Sequence, residues 1–355
     1  MTAYRSASQL FKRLLRPVLD PYRRYRNARL IHAVRVSLGL LATILLTTGI
    51  NLPHGEWASV TMLVVIGGLQ HHGNIGKKAA ERAYGTLIGA GVGLLLVVQQ
   101  AWLGLPWLTY FGMSVVCGFF SYHAIGKGGY TALLSAITVF IVAGHGDNPV
   151  TDGLWRTVDI LIGIVLALAF SFALPLYAVY SWRYKLSGAL RDCARIYSRI
   201  VSGQSVTDDQ YLKLLGRLNG VMVQLRSLMP SVSKEVRLSM TELDALQRNL
   251  RMCISTLEIL ANTRPDVSDV QAMEQMQRTL NAEHRAIRKM LISMSRALQS
   301  GTTQRLERIS EPLQTGMDAP IHSALDGYRL LTRQLAANLG DMRQRLLKTA
   351  PRWKI

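Results

Sequence analysis

Between Leu30 and Tyr180 the chain carries six dense apolar runs, with its charged residues falling mostly on alternate connections, the pattern of a protein built into a bilayer. The runs are Leu30–Ile50, Trp57–Gln70, Ala83–Gln100, Pro106–Tyr122, Gly128–Gly144 and Thr157–Tyr180. A helix rises about 1.5 Å per residue and the hydrocarbon layer is about 30 Å thick, so each run crosses alone or with polar ends resting at the interface. Six is even, which puts both ends of the chain on one side.

Lys and Arg are held in the cytoplasm during insertion, so charge identifies that side. Eight cations from Arg5 to Arg29 precede the first run, against the single acid Asp20. The next inside loop holds Lys77, Lys78 and Arg82 and the third holds Lys127, whereas the outside loops Asn51–Glu56 and Trp102–Leu105 have none. Both termini are therefore expected in the cytoplasm, and Arg156 alone departs from the rule. The net charge of +19 belongs to this orientation and to anionic lipid headgroups rather than to nucleic acid, which is not expected as a partner. No cleavage site follows the first run, so it is expected to stay as an anchor. Phe11, Leu14, Leu15 and Val18 recur at helical spacing among Lys12, Arg13 and Arg16, which fits either an amphipathic helix on the inner leaflet or a basic tail.

Near Ser181 the composition turns to a mixture of Arg, Asp, Glu, Gln and Leu that continues to Ile355. Amphipathic spacing predicts helices over Trp182–Val201, Asp208–Met229, Lys234–Ala261, Val267–Leu298 and His322–Leu347. Pro230, Pro265, Gly301, Pro312 and Pro320 punctuate them, with Asp208 and Ser231 or Ser233 as N-caps. The sequence thus reads as all-α: a basic segment over residues 1–29, a transmembrane domain of about six helices over 30–180, and a cytosolic helical bundle over 181–355.

The membrane region contains a candidate internal repeat. Arg82-Ala83-Tyr84-Gly85-Thr86-Leu87-Ile88-Gly89 aligns with Arg156-Thr157-Val158-Asp159-Ile160-Leu161-Ile162-Gly163, with Gly93 and Ala167 four residues further on. Three spans per copy would invert the second, placing Arg82 at the inner surface and Arg156 at the outer one, an arrangement found in many secondary transporters. Gly85, Gly89 and Gly93, like Gly163 and Ala167, share a helical face, and their first role is close helix packing. As exposed faces of a six-span unit they also favour a homo-oligomer, a dimer before a trimer.

Asp159 is a carboxyl inside an apolar helix, with Arg156 one turn away. Two readings stand open: an interfacial ion pair, or a protonatable element of a translocation path. His71 and His72 point about 100° apart and make no chelating pair, so no metal is expected. Gly126–Gly129 lacks the Gly-Lys-Ser/Thr ending of a phosphate loop and reads as a turn. Cys117, Cys193 and Cys253 read as apolar fillers. Neither a catalytic constellation, a cofactor motif nor a Walker A loop is present, so an enzyme or an ATP-driven pump is not expected.

The run Glu81-Arg82-Ala83-Tyr84-Gly85-Thr86-Leu87-Ile88-Gly89-Ala90-Gly91-Val92-Gly93 resembles the Arg-x-x-Gly-Thr-x-x-Gly-x-x-x-Gly stretch of the fusaric acid resistance family of aromatic acid exporter-like proteins. Trp155-Arg156 through Gly163 to Leu174-Pro175 is similar to its sixth span. The resemblance implies a bacterial inner-membrane exporter of small aromatic or amphiphilic organic acids, in a half-size form that pairs with itself. On this expectation Arg82 and Arg156 attract the substrate carboxylate and Asp159 couples a proton. A passive anion channel and a membrane-anchored scaffold working through its cytosolic bundle are the alternatives.

Overall fold

The computed structural model describes residues 20–66, 71–144, 149–173, 175–202, 208–263, 270–308 and 323–353. It is helical throughout, with no strand among the described residues. The Phe11–Val18 segment lies outside them. Two compact units divide the chain, one of Arg26–Leu176 and one that joins Met1–Tyr25 to Tyr177–Ile355.

After a short α1 (Pro21–Arg26), the first unit consists of α2 (Ala28–Gly49), α3 (Glu56–Ile66), α4 (His72–Leu103), α5 (Pro106–Ile125), α6 (Gly129–Ala143) and α7 (Val150–Ala173). Four of these, α2, α4, α5 and α7, are long and apolar enough to cross a membrane, while α3 and α6 are short apolar helices. The amphipathicity of α2 and α5 is inside out. The buried stripe of α2 is Arg35, Gly39, Thr43 and Thr47, while Leu38, Leu41 and Leu45 face outward. Phe111, Val115 and Phe119 do the same on α5. Lipid tails solvate large apolar side chains, so helices meet through their small and polar residues instead. Four buried hydroxyls are satisfied locally: Thr43, Thr47, Ser135 and Thr138 each donate to the carbonyl four residues back.

Two features of this unit differ from the sequence expectation. Lys77, Lys78 and Arg82 do not lie in a loop, because α4 begins at His72 and carries all three. Ile75, Ala79, Arg82, Thr86 and Ala90 are buried at spacings of three and four, one helical face that draws the chain into helix well before the apolar run starts. His71 and His72 accordingly stand at the head of α4. At the other end, α7 stops at Ala173, before Pro175, rather than running on to Tyr180.

The second unit is built from α8 (Ala178–Val201), α9 (Asp208–Val236), α10 (Met240–Asn262), α11 (Val270–Ser300), the short α12 (Gln304–Glu307), α13 (Ser323–Thr349) and a 3-10 turn, Ala350–Trp353. One apolar core, including Leu186, Leu190, Leu250, Leu291, Leu339 and Trp353, runs through it. Tyr22 and Tyr25 pack on Tyr184 with ring centroids 5.2 and 5.1 Å away, tying the residues before Arg26 to α8.

Pro230 does not end a helix here. It lies inside α9, which runs on to Val236 and stops at Arg237 in a left-handed conformation, φ 53°. Ser231 and Ser233 are therefore not N-caps, and Ser233 instead donates to the Leu238 carbonyl. The cap is Ser239, which forms a reciprocal capping box with Glu242. The first amides of α8 have no local cap and are met from α9: Glu235 accepts from the N–H groups of Ala178 and Val179 at 2.9 and 3.0 Å.

Arg183 does the corresponding work at the far ends. Buried to 4% exposure, it donates twice to the Leu298 carbonyl and once to that of Trp353, beneath the rings of Tyr180, Tyr184 and Trp353. Burial pushes the Cys193 and Cys253 thiols up, Cys253 to about 12, which suits apolar filling rather than reactivity.

His284 is buried on α11 with its Nδ1 2.5 Å from the Tyr197 hydroxyl, and burial pushes it down to about 4. Between pH 6.5 and 4 the unfolded chain takes up a proton that the folded unit refuses, so stability is full above about 6.5 and falls as pH drops through this window. At about 1.4 kcal/mol per pH unit the loss approaches 3 kcal/mol. Amide protection of α11, corrected for intrinsic exchange, should fall between pH 7 and 4.5 in the wild type and stay level in His284→Gln.

Candidate functional site

The long helices of the first unit are joined by two crossings of the same kind. Gly85, Gly89 and Gly93 of α4 lie against α6, where a Cβ at Gly89 would stand 2.5 Å from the Ser135 carbonyl oxygen and 2.7 Å from Thr138 Cβ. Gly163 of α7 lies against α3 in the same way, on the Ala58 carbonyl oxygen and Thr61 Cβ, with Ala167 fully buried one turn on. Gly89 is seven residues beyond Arg82 and Gly163 seven beyond Arg156; Thr138 follows Ser135, and Thr61 follows Ala58, by three. Exchanging α2, α3 and α4 for α5, α6 and α7 therefore carries one crossing onto the other. These glycine faces are covered within the unit, so they are not exposed surfaces on which a dimer would form.

Each arginine reaches the short helix of its own half. Arg82 is 2% exposed, and its guanidinium donates to Thr61 Oγ1 on α3 at 3.4 Å, the only hydrogen bond it makes among the described residues. Arg156, half-buried near the start of α7, donates to the Ile141 carbonyl of α6 at 2.7 Å. That bond uses an otherwise unmatched carbonyl near the C-terminal end of α6, where the helix dipole also favours a cation.

Asp159 is fully buried, and neither carboxylate oxygen has a hydrogen-bond partner. The ion pair with Arg156 left open by the sequence does not form, since Arg156 is turned to α6 while Asp159 faces the α3 side of α7. The groups that act on it electrostatically are Glu56, the first residue of α3, and His54, in the turn before it. His54 in turn lies 3.5 Å from Asp152, at the start of α7, and 3.8 Å from Glu56. The structure thus places Arg82, Arg156 and Asp159 in one unit, all directed at the short helices, without joining any two of them.

Two residues were missed by sequence reasoning. Arg35 is fully buried in α2, 3.0 Å from His32 Nδ1, yet a lone Arg near the start of an apolar run reads as an interfacial anchor. Its signal was the stripe it shares with Gly39, Thr43 and Thr47. His54 had no signal at all in a loop read only for Lys and Arg. Among the described residues no group of His, Cys, Asp and Glu is arranged to hold a metal.

Residues 29–350 match the Fusaric acid resistance protein family. The chain is also 29% identical over 308 residues to the inner membrane protein YeeA of Escherichia coli (strain K12), an alignment covering 84% of this chain and 85% of that protein. Both matches extend across the two units, so the likeness of the C-terminal region is not confined to its general character. With its apolar, inside-out helices and its Arg-Gly-Thr-Gly face, the chain belongs to the fusaric acid resistance protein family, as a bacterial membrane protein of transporter type.

Proposed function

We propose that this protein exports small organic anions, aromatic or amphiphilic acids foremost, across the inner membrane in a gradient-driven cycle. It does so with six spans in two inverted three-helix halves and with both termini in the cytoplasm. One observation carries the reading: a buried guanidinium, Arg82, held by a single long hydrogen bond, shares the membrane unit with a buried carboxyl, Asp159, that has no hydrogen-bond partner. An ionised group without a partner costs several kcal/mol in such surroundings, so each position gains from something that arrives during the cycle. Arg82 suits a carboxylate, which its planar fork meets with two parallel bonds. Asp159 suits a proton.

The matching crossings at Gly89 and Gly163 support the two-half arrangement, because three helices per half reverse the direction of the second copy. Binding between two such halves allows one half to rock against the other around a fixed site, with the short helices α3 and α6 lining the change. Arg156, at the other end of the path, meets the departing anion.

Purified protein in proteoliposomes, tested with labelled benzoate, checks the proposal. Accumulation should follow an imposed pH gradient and collapse when a protonophore is added. Equilibration at the same rate without a gradient would identify a passive channel instead, and no flux across a panel of aromatic acids would remove the transport of these substrates.

A further inference from the structure

The C-terminal unit holds a second concentration of charge that the transport reading does not use. A groove of about 1180 Å³ opens between α8, α9 and α11. Arg191, Arg195 and Arg199 line it from α8 at a spacing of four, and Lys213 and Arg217 line it from α9 at the same spacing. Arg288 and Arg296 complete it from α11. The neighbouring carboxylate is Asp192, which already accepts from Arg195 at 3.0 Å and from Arg217 at 2.7 Å. Arg191 is held by Gln299 at 2.9 Å. Arg288 and Arg296 are exposed and make no ion pair among the described residues.

Like charges one turn apart destabilise a helix, and here seven cations from three helices line one groove, with no acid among its described lining residues and Asp192 beside them. Between them lies an apolar floor of Ala194, Leu214 and Ile292. A monocarboxylic acid of the transported class would engage one guanidinium and leave most of the positive charge of the groove unmet. A condensed phosphate brings three or four negative charges over a short length, and guanidinium forks pair with its oxygens two at a time. From Arg191 to Arg199, and from Arg288 to Arg296, the cationic edge extends about 12 Å. That length holds a triphosphate and its sugar but falls short of a strand of several nucleotides.

We propose that this groove binds a soluble anion bearing a diphosphate or triphosphate on an apolar body, the chemistry of a nucleoside di- or triphosphate. The cations hold the phosphates and the Leu214–Ile292 floor receives the body. With no Walker A loop in the chain, the ligand is bound as a regulator of the membrane unit and not as a fuel. A lipid headgroup with two phosphates offers the same chemistry, and the membrane composition separates the two sources.

The test uses the full-length protein in nanodiscs of zwitterionic lipid, titrated calorimetrically with ATP, ADP and inorganic pyrophosphate. One ATP should bind per chain at micromolar concentration, pyrophosphate more weakly for want of the apolar contact, and both should weaken as salt rises. Arg288→Gln with Arg296→Gln should weaken ATP at least tenfold without moving the melting temperature. Arg248→Gln with Arg251→Gln, which removes the same charge from exposed positions on α10 away from the groove, should change it less than twofold. Several results would overturn the proposal. These are an absence of saturable ATP binding, equal weakening in both double variants, and loss of wild-type binding when anionic lipid is added to the nanodisc. Displacement of ATP by a tighter-binding single-stranded oligonucleotide that loses affinity in the same α11 variant would reassign the groove to nucleic acid.

Discussion

Asp159→Asn should insert and fold at wild-type abundance and lose proton-driven transport by at least a hundredfold. The carboxyl has no hydrogen bond to lose, and the nearest arginine on its helix is engaged with the Ile141 carbonyl. Substituting a neutral amide of the same shape therefore strands no counter-charge. Had the pair with Arg156 formed, the single change would have left a buried cation unmatched and lowered abundance, and only a double replacement would have been informative. The measurement is the initial rate of labelled benzoate uptake under an imposed pH gradient, scaled to protein in the proteoliposome. Wild-type rates at matched amounts would remove Asp159 from the coupling step. Exchange of labelled benzoate across the membrane without a gradient should survive in the variant, since Arg82 and the glycine crossings are untouched.

The second large effect falls on stability. Arg183→Met should cost the C-terminal unit about 2–5 kcal/mol, because two buried carbonyls lose a charged donor at about 1–3 kcal/mol each. Leu298 and Trp353 would lose the donor to their carbonyls, three aromatic rings would lose the cation, and Gly301 would lose the group it packs against. Arg183→Lys keeps the charge but cannot supply three directed N–H groups, so about half of the loss should remain. Amide exchange read peptide by peptide distinguishes this from a general loss of fold: the end of α11 and the turn Ala350–Trp353 should lose protection first, and the helices of Arg26–Leu176 should keep theirs.

Much of the architecture was legible because lipid and water impose opposite patterns. The apolar runs correspond to the helices α2 through α7, four of which are long and apolar enough to cross a membrane. What the sequence could not convey was where one stripe of small or charged residues extends a helix beyond its apolar run. Arg82 looked like an inside-loop cation because Lys77 and Lys78 precede it; only the alignment of Ile75, Ala79, Arg82 and Thr86 on one face reveals a buried position. Pro230 failed as a breaker because Glu235, beyond it on the same helix, satisfies amides of α8, a contact between residues more than fifty apart in sequence. The site shows the same limit. Sequence spacing correctly brings Asp159 and Arg156 onto neighbouring turns, but it carries no information about Ile141, whose carbonyl takes the guanidinium away.

The shortness of α6 has an electrical consequence. Its fifteen residues, Gly129–Ala143, rise about 22 Å, less than the hydrocarbon thickness of about 30 Å. Where water follows the ends of this helix inward, the insulating layer thins, and the transmembrane voltage drops over a shorter distance than the whole bilayer. On the proposed cycle, a proton exchanged with Asp159 would then cross part of the potential, worth up to about 2.3 kcal/mol per 100 mV, without any helix having to travel the width of the membrane.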